Sequence, residues 1–277
     1  MRLVTTIAEV RGWRREAPGG VGLVPTMGCL HEGHLSLVDA ARRENDRVAA
    51  TVFVNPTQFG PTEDLDRYPR DLGHDRRLLA ERGCDLLFAP SPAEMYPPGF
   101  AAGIDVGAVA EPLEGARRPG HFRGVATVVM KLLQIATPDR AYFGEKDAQQ
   151  LAVVRRMVAD LDVPVEIRAC PIVREPDGLA MSSRNRYLSS EERRAAVSLS
   201  RALDAAERLW RSGERRGETL RAEAERTIRE EPLARLDYAS VADPSSFREV
   251  GLADGPVRLL LAAHVGRTRL IDNRLLE

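Results

Sequence analysis

An apolar run passes into a helical segment at Val21-Gly-Leu-Val-Pro-Thr-Met-Gly-Cys-Leu-His-Glu-Gly-His-Leu-Ser-Leu-Val38. Residues 21–25 have the length and composition of a buried strand, and the segment that follows the two histidines begins a helix. Further apolar runs alternate with segments of helical period at 48–54, 85–89, 140–143 and 165–169. This alternation predicts an α/β fold in which βα units build a parallel sheet.

A change in the pattern of charged and apolar residues marks a second domain. After Pro176 the chain has two charged helical stretches and then two apolar runs that we interpret as strands. These four segments span residues 191–211, 218–231, 236–241 and 257–263. Because Pro176 and Gly178 interrupt both periods, we place the boundary there. The prediction is a domain of residues 1–175 followed by a smaller α+β domain of residues 176–277.

The composition excludes several classes of protein. The chain has 277 residues, 43% of them hydrophobic, and 40 basic against 41 acidic residues give a formal net charge of −1. Such a balance provides no field for a phosphate backbone, which argues against nucleic acid as a partner. No run of about 18 apolar residues suits a membrane span. We therefore expect a cytoplasmic protein that binds neither nucleic acid nor membrane.

The loop after the first strand carries two of the five histidines, His31 and His34. Their i, i+3 spacing places both imidazoles on one face at a helix N-terminus, where backbone N–H groups and the helix dipole favour anionic phosphate. Gly28 and Gly33 allow a ligand to approach the backbone. Two other interpretations remain: surface or capping histidines, and an H-x-x-H metal pair, although no cluster of further ligands lies nearby.

A polar loop about 150 residues later, Asp177-Gly-Leu-Ala-Met-Ser-Ser-Arg-Asn185, carries two hydroxyls and a guanidinium in succession. These groups suit phosphate oxygens, and Gly178 permits movement, although serines before a helix also serve as simple caps.

Lysine is rare in this chain: only Lys131 and Lys146 occur among the 40 basic residues. Lys146 is a candidate for a role that arginine cannot fill, whereas Lys131 lies in an apolar helical stretch and is expected to snorkel.

Taken together, the two loops resemble a known superfamily. Residues 31–34 look like the HIGH motif of the adenylate-forming nucleotidyltransferases, and residues 181–185 look like its KMSKS-type loop. Over nearly the whole length the chain resembles the pantoate–beta-alanine ligase (pantothenate synthetase) family. The blocks that carry this resemblance are PTMGCLHEGH (25–34), VNPTQF (54–59), PRD (69–71), PGHFRGVATVV (119–129), GEKDAQQ (144–150) and EPDGLAMSSRNRYL (175–188).

The resemblance implies a Rossmann-like domain and a small carboxyl-terminal lid domain, commonly in a homodimer. It implies an enzyme that condenses (R)-pantoate with beta-alanine through a pantoyl-adenylate, with ATP as co-substrate and Mg²⁺ bridging phosphates. The implied catalytic residues are His31, His34, Lys146, Ser182, Ser183 and Arg184. The implied ATP contacts are those six together with Met27, Gly28, Cys29, Leu30, Glu32, Gly33, Gly144, Glu145, Asp147, Val173 and Met181. The implied pantoate and beta-alanine contacts are Asn55, Gln58 and Gln150, and Asp75 is a candidate magnesium ligand.

Some of these roles have alternatives. His34 could donate a proton or only a hydrogen bond to phosphate. Met27 and Val173 could be core residues, Gln58 and Gln150 exposed amides, and Asp147 a helix cap. Two positions depart from the family pattern: Cys29 replaces a smaller alanine, and His74 stands before Asp75 where relatives often have an acidic or polar residue.

Competing functions are an adenylyltransferase that acts on a phosphate-bearing substrate, an aminoacyl-tRNA synthetase, and an inactive nucleotide-sensing module. Adenylyltransferases of this superfamily are generally shorter and lack the residues beyond Pro176. A synthetase needs a basic surface for tRNA, which the near-zero charge does not provide. His31, His34, Lys146 and Ser183 are all present, which disfavours an inactive module.

Overall fold

The computed structural model describes residues 1–61 and 63–277. These residues form two units, the first of Met1–Glu145 with Gln149–Pro171 and the second of Lys146–Ala148 with Ile172–Glu277. The boundary observed in the chain lies a few residues before the one expected from the sequence. The short segment around Lys146 groups with the second unit although it is far from it in sequence.

The first unit is a six-stranded parallel sheet with the strand order β1-β4-β3-β2-β5-β6. Its strands are β1 (Arg2–Val4), β2 (Val21–Thr26), β3 (Arg47–Val52), β4 (Leu86–Phe88), β5 (Arg140–Gly144) and β6 (Glu166–Cys170). The predicted parallel sheet is therefore confirmed, and β1 is an edge strand that the sequence analysis did not predict. The strand order reverses between β2 and β5, which pair directly. In such sheets ligands bind beyond the carboxyl ends of the strands at this reversal.

Helices connect these strands. The α-helices are α1 (Ile7–Glu16), α2 (Glu32–Glu44), α3 (Leu72–Glu81), α4 (Pro92–Met95), α5 (Glu114–Arg117), α6 (His121–Ala136) and α7 (Ala148–Asp160), and 3₁₀ turns span Pro56–Gln58, Gly107–Ala110 and Glu145–Asp147. Leu37 and Val38 of α2 pack with Val24 of β2 and Val48 of β3 in one buried cluster. Burying this apolar face fixes the start of α2 at the end of β2.

The second unit is an α+β domain, as predicted. A 3₁₀ turn (Ser183–Tyr187) precedes α8 (Ser190–Ala195), α9 (Ser198–Arg211) and α10 (Gly217–Arg229), which are followed by β7 (Ala234–Ala242), β8 (Val257–Val265) and β9 (Thr268–Leu276). The three strands form an antiparallel sheet in sequential order. Leu199 and Leu203 of α9 share a buried core with Leu220 of α10 and Leu259 of β8. Strand β9 was not predicted from the sequence.

The three cysteines are shielded from solvent. Cys29, Cys84 and Cys170 are all buried, and burial raises the pKa of the Cys84 thiol to about 12. A thiol with so high a pKa is unreactive at neutral pH. Within residues 1–61 and 63–277, every helix is too short or too polar to cross a bilayer.

Candidate active site

The loop between β2 and α2 turns sharply through two residues with positive φ, Gly28 at 85° and Cys29 at 52°. Glycine is suited to the first of these positions for two reasons. It adopts positive φ without strain, and a Cβ added to Gly28 would lie 2.8 Å from Cγ1 of Val52 and 2.9 Å from Oδ2 of Asp75. The chain then enters α2 with His31 as its N-cap residue.

Asp75 of α3 holds this turn. Its Oδ2 accepts the backbone N–H of Cys29 at 2.9 Å and its Oδ1 accepts that of Leu30 at 2.8 Å. The residue is only 1% exposed, and burial raises the pKa of its carboxyl while the two N–H donors oppose that rise. The loop geometry therefore depends on a buried carboxylate from a different part of the chain.

These contacts give Asp75 a structural role in the loop. Each Asp75 oxygen accepts a backbone N–H at a buried position, whereas Mg²⁺ prefers an octahedral site with room for several of its waters. Over residues 1–61 and 63–277, no group of three or more His, Cys, Asp or Glu side chains could hold a metal ion. The hydrogen bonds thus favour a loop-holding role for Asp75 over the predicted role in metal binding.

Both histidines of the loop use the same ring nitrogen for the backbone. Nδ1 of His31 accepts the N–H of Gly33 at 3.1 Å, and Nδ1 of His34 accepts the N–H of His31 at 3.4 Å. The ring centroids are 4.1 Å apart. A nitrogen that accepts an N–H carries no proton, so each neutral ring carries its proton on Nε2. Capping the helix and donating from Nε2 are therefore compatible roles.

Three other residues of the predicted ATP loop have side chains that are buried or paired within the protein. Cys29 and Leu30 are buried, and their N–H groups are engaged by Asp75. The Glu32 carboxylate is paired with Arg82, with its Oε2 2.8 Å from Nη2. These observations leave His31 and His34, together with the half-buried Gly33, as the residues of this loop best suited to phosphate.

Two of the three residues predicted to bind pantoate, Asn55 and Gln58, form a hydrogen-bonded group after β3. Nδ2 of Asn55 donates to Oε1 of Gln58 at 3.0 Å, and Nε2 of Gln58 lies 3.3 Å from the sulfur of Met27. The structure thus brings Met27, Asn55 and Gln58 together. Gln58 is buried, which does not agree with the alternative that it is an exposed surface amide.

Three residues around Gln58 were missed by the sequence analysis. The Tyr96 hydroxyl donates to Oδ1 of Asn55 at 2.7 Å, and burial raises the Tyr96 pKa. His121, the first residue of α6, contacts the Gln58 carbonyl. Gly124 of α6 approaches so closely that an added Cβ would lie 2.7 Å from Cα of Gln58. His121 and Gly124 stand in the block 119–129 that carries the family resemblance, but no role was assigned to them there, and Tyr96 lies outside all six blocks.

The two glutamines at the start of α7 have different environments. Gln149 is buried, and its amide bonds the carbonyls of Val109 at 3.0 Å and Pro112 at 2.7 Å. Gln150 is half-buried, which leaves it the better placed of the two to meet a ligand. At the end of β5, Glu145 is half-buried, and a Cβ added to Gly144 would meet no atom within 4 Å.

The remaining predicted residues belong to the second unit. Lys146 and Asp147 lie in the 3₁₀ turn Glu145–Asp147 and are half-buried. Asn273 of β9 bonds the Lys146 carbonyl at 2.9 Å. Val173 and Met181 are joined across a narrow hairpin, because the Met181 N–H donates to the Val173 carbonyl at 3.0 Å.

That hairpin leads directly into the hydroxyl-rich segment. Ser182 caps the 3₁₀ turn Ser183–Tyr187, since its Oγ accepts the N–H of Arg184 at 3.2 Å. Ser183 is buried and Arg184 is half-buried. The serine-cap interpretation therefore holds for Ser182. The joint action of this segment and the histidine loop on one nucleotide stays a prediction.

Comparison with known proteins agrees with the resemblance. The family model described as pantoate-beta-alanine ligase matches residues 2–275. A pantothenate synthetase of Roseiflexus sp. (strain RS-1) is 62% identical over 277 residues, which cover all of both chains.

Solved structures give the same result. The crystal structure of pantothenate synthetase from Thermus thermophilus is 52% identical, with a TM-score of 0.95 over 99% of each chain. A pantoate-beta-alanine ligase from Francisella tularensis, complexed with beta-gamma ATP and beta-alanine, is 36% identical, with a TM-score of 0.83 over 99% of this chain and 97% of that one. With a match along nearly its entire length and a fold shared at this level, the chain belongs to the pantoate-beta-alanine ligase family.

Proposed function

We propose that this protein condenses (R)-pantoate with beta-alanine to give pantothenate, AMP and diphosphate. The observation that carries the proposal is the family match over residues 2–275, combined with a helix N-terminus that presents two imidazoles of the same tautomer. In the first step the pantoate carboxylate attacks the α-phosphorus of ATP, and diphosphate leaves. In the second step the amine of beta-alanine attacks the acyl carbon of pantoyl-adenylate, an amine proton is lost, and AMP leaves.

The first step concentrates negative charge on phosphate oxygens, and donors fixed in advance stabilise such charge most effectively. His31 and His34 donate from Nε2 at the start of α2, whose backbone N–H groups and dipole add to the effect. In this assignment His34 acts as a neutral hydrogen-bond donor. An imidazolium that donated a proton would carry a proton on Nδ1 as well, and that would break its bond with the His31 N–H.

The second unit supplies cations and hydroxyls. We assign the Lys146 ammonium and the Ser182, Ser183 and Arg184 donors to the phosphates of ATP, and Met27, Gly144, Asp147 and Val173 to its adenosine part. The Lys146 ammonium is a compact charge, which suits a crowded phosphate group better than a planar guanidinium. Mg²⁺ enters this scheme with ATP as the MgATP complex, where it neutralises phosphate charge.

Asn55, Gln58 and Gln150 are assigned to pantoate. Amides bind hydroxyl and carboxylate groups without placing further negative charge beside the reacting anion. The contact between Gln58 and Met27 joins the pantoate residues to the ATP loop. The homodimer and the cytoplasmic location stay predictions, and sedimentation equilibrium of the purified protein would measure the first of them.

The decisive test is exchange of labelled diphosphate into ATP. The expected result is exchange that requires pantoate and proceeds without beta-alanine, because the adenylate forms before the amine reacts. Exchange that depends on a phosphorylated substrate would instead support an adenylyltransferase. The matched variant is Lys146→Ala, which should reduce the rate by about 10²-fold or more, the usual effect of removing one transition-state donor. An unchanged rate would remove Lys146 from the mechanism.

A further inference from the structure

Two consecutive residues of β9 each bond a segment of the proposed ATP site. Nδ2 of Asn273 donates to the backbone carbonyl of Lys146 at 2.9 Å. The Asp272 carboxylate accepts a hydrogen bond from each terminal nitrogen of Arg174, at 2.7 and 2.9 Å. Asp272 and Asn273 are each 2% exposed. All four residues lie in the second unit, so the contacts belong to one packed domain.

The Arg174 guanidinium holds the hairpin that precedes Ser182. Its Nη1 also donates to the Gly178 carbonyl at 2.9 Å, and Arg174 pairs with Ala180 across an isolated antiparallel bridge. Gly178 has a φ of 92°, the conformation that a tight turn requires and that glycine adopts most easily. One guanidinium therefore connects the tip of the hairpin to Asp272, a buried residue of the strand.

The orientation of the Asn273 amide is fixed by a third residue. Nη1 of Arg258, in β8, donates to Oδ1 of Asn273 at 2.5 Å. Because a guanidinium has only donors, the amide must turn its oxygen towards Arg258 and its N–H towards Lys146. The backbone N–H of Asn273 in turn donates to Oδ1 of Asp272 at 2.8 Å. Asp272 and Asn273 thus belong to one connected network of buried polar groups, and such a network rigidifies the segments that it joins.

We infer that Asp272 and Asn273 are positioning residues for adenylate formation: they hold the backbone of Lys146 and the stem of the Ser182–Arg184 loop on a single strand. β9 also packs against the Ser183–Tyr187 turn. The inference rests on the proposed function, since it concerns the same ATP site. Errors of about 1 Å in the placement of a reacting group cost on the order of 10²-fold in rate, so a fixed anchor for Lys146 has a direct catalytic effect.

The principal test is Asn273→Asp. This substitution retains the size of the side chain and the acceptor for Arg258, but it places an oxygen against the Lys146 carbonyl. We expect pantoate-dependent diphosphate exchange to fall by about 10-fold or more in kcat. Amide formation from pre-formed pantoyl-adenylate and beta-alanine should stay at the parent rate, because Lys146 is assigned only to the phosphates of ATP.

A second variant tests the other contact. Arg174→Lys keeps the positive charge but cannot bond both Asp272 oxygens and the Gly178 carbonyl together. We expect the same loss confined to diphosphate exchange. The matched control is Arg274→Gln, at the next position of β9, where Arg274 pairs with Asp204 at 2.5 Å. Arg274 also pairs with Glu207, so this control removes two ion pairs from the same strand without touching either segment, and its exchange rate should equal that of the parent.

The outcomes separate this inference from the proposed function. If the parent enzyme shows no pantoate-dependent exchange, the proposed function fails. If the parent exchanges and both N273D and R174K exchange at the parent rate, Asp272 and Asn273 do not position the site. A loss of equal size in exchange and in amide formation, with a lowered melting temperature, would also overturn the inference, because it would show a purely structural role.

Discussion

His121 donates its Nδ1–H to the backbone carbonyl of Gln58 at 2.9 Å. The direction of the bond follows because a carbonyl only accepts. Nε2 of the same ring lies 3.0 Å from Nη1 of Arg118, which only donates. The ring is therefore the neutral Nδ1–H tautomer, and burial together with the nearby Arg118 charge lowers the pKa of His121 to about 4. Gln58 is held by a histidine that stays uncharged at neutral pH.

Replacing His121 with leucine should weaken the binding of pantoate. The change removes the donor to the Gln58 carbonyl and leaves a buried acceptor without its partner, at a cost of about 1–3 kcal/mol. We expect the half-saturating pantoate concentration to rise about 10-fold, the equivalent of about 1.4 kcal/mol, with ATP saturation unchanged. His121→Asn is the matched control, because its amide nitrogen can occupy the position of Nδ1 and should restore most of the affinity. Equal pantoate saturation in His121→Leu and the parent would contradict the assignment.

The same residue makes stability depend on pH. Because the pKa of His121 in the folded state, about 4, lies below the unfolded value of 6.5, the unfolded chain binds more protons between these values. The free energy of unfolding therefore falls as the pH drops through this window. Between pH 7 and pH 5 the loss from this group is about 2 kcal/mol. Urea unfolding at both pH values should show this loss in the parent and a smaller one in His121→Asn; identical losses would exclude His121 as the source.

Asp75→Asn should loosen the histidine loop without altering the requirement for magnesium. The asparagine keeps one acceptor but points an N–H₂ group at the backbone N–H of Cys29 or Leu30, which costs about 1–3 kcal/mol. We expect a higher half-saturating ATP concentration and the same half-saturating Mg²⁺ concentration at fixed MgATP. Asp71→Asn, which retains a capping acceptor for the N–H of His74 at the exposed start of α3, is the control. A selective increase in the Mg²⁺ requirement would restore Asp75 as a metal ligand.

Gly124→Ala should displace the segment that carries Gln58. A Cβ at this position would overlap the Thr57 carbonyl and lie 2.7 Å from Cα of Gln58. Backbone atoms cannot yield as a flexible side chain does, so we expect a loss of about 1–3 kcal/mol in stability and poorer saturation by pantoate. Gly12→Ala in α1 is the control, because a Cβ there meets nothing within 4 Å and alanine favours the helix by about 1 kcal/mol. Equal melting temperatures in the parent and Gly124→Ala would refute the close contact.

The sequence predicted the elements whose signals are local. Five of the six strands of the parallel sheet were predicted from apolar runs, and α6 and α7 show a clear helical period. β1 was missed because its three residues include the exposed Arg2, whereas the equally short β4 is wholly apolar and buried. β9 was missed because Arg269, Asp272, Asn273 and Arg274 make the segment look polar, and it becomes a strand only when β8 pairs with it. Tertiary pairing overrides a weak local pattern in such cases.

The sequence predicted the site residues that lie in motifs, but it did not predict the residues that hold those motifs in position. His31, His34, Lys146 and Ser183 stand in recognisable stretches of sequence. The residues that hold them in place do not: Asp75 lies 45 positions from Leu30 and Asn273 lies 127 positions from Lys146. Backbone carbonyls and N–H groups are the partners in these contacts, and they leave no mark in the sequence. Asp75 was predicted as a magnesium ligand, and its hydrogen bonds to the backbone of Cys29 and Leu30 could not be predicted from the sequence.

The shared tautomer of His31 and His34 has a consequence for transition metals. Two imidazoles one helical turn apart ordinarily form a good partial site for zinc or copper, which bind the unprotonated nitrogen. Here Nε2 carries the proton, and moving it to Nδ1 would cost both rings their backbone N–H bonds at the start of α2. In this tautomer the loop is prepared to donate to an anion, and a metal ion at Nε2 would bind only at the cost of both hydrogen bonds.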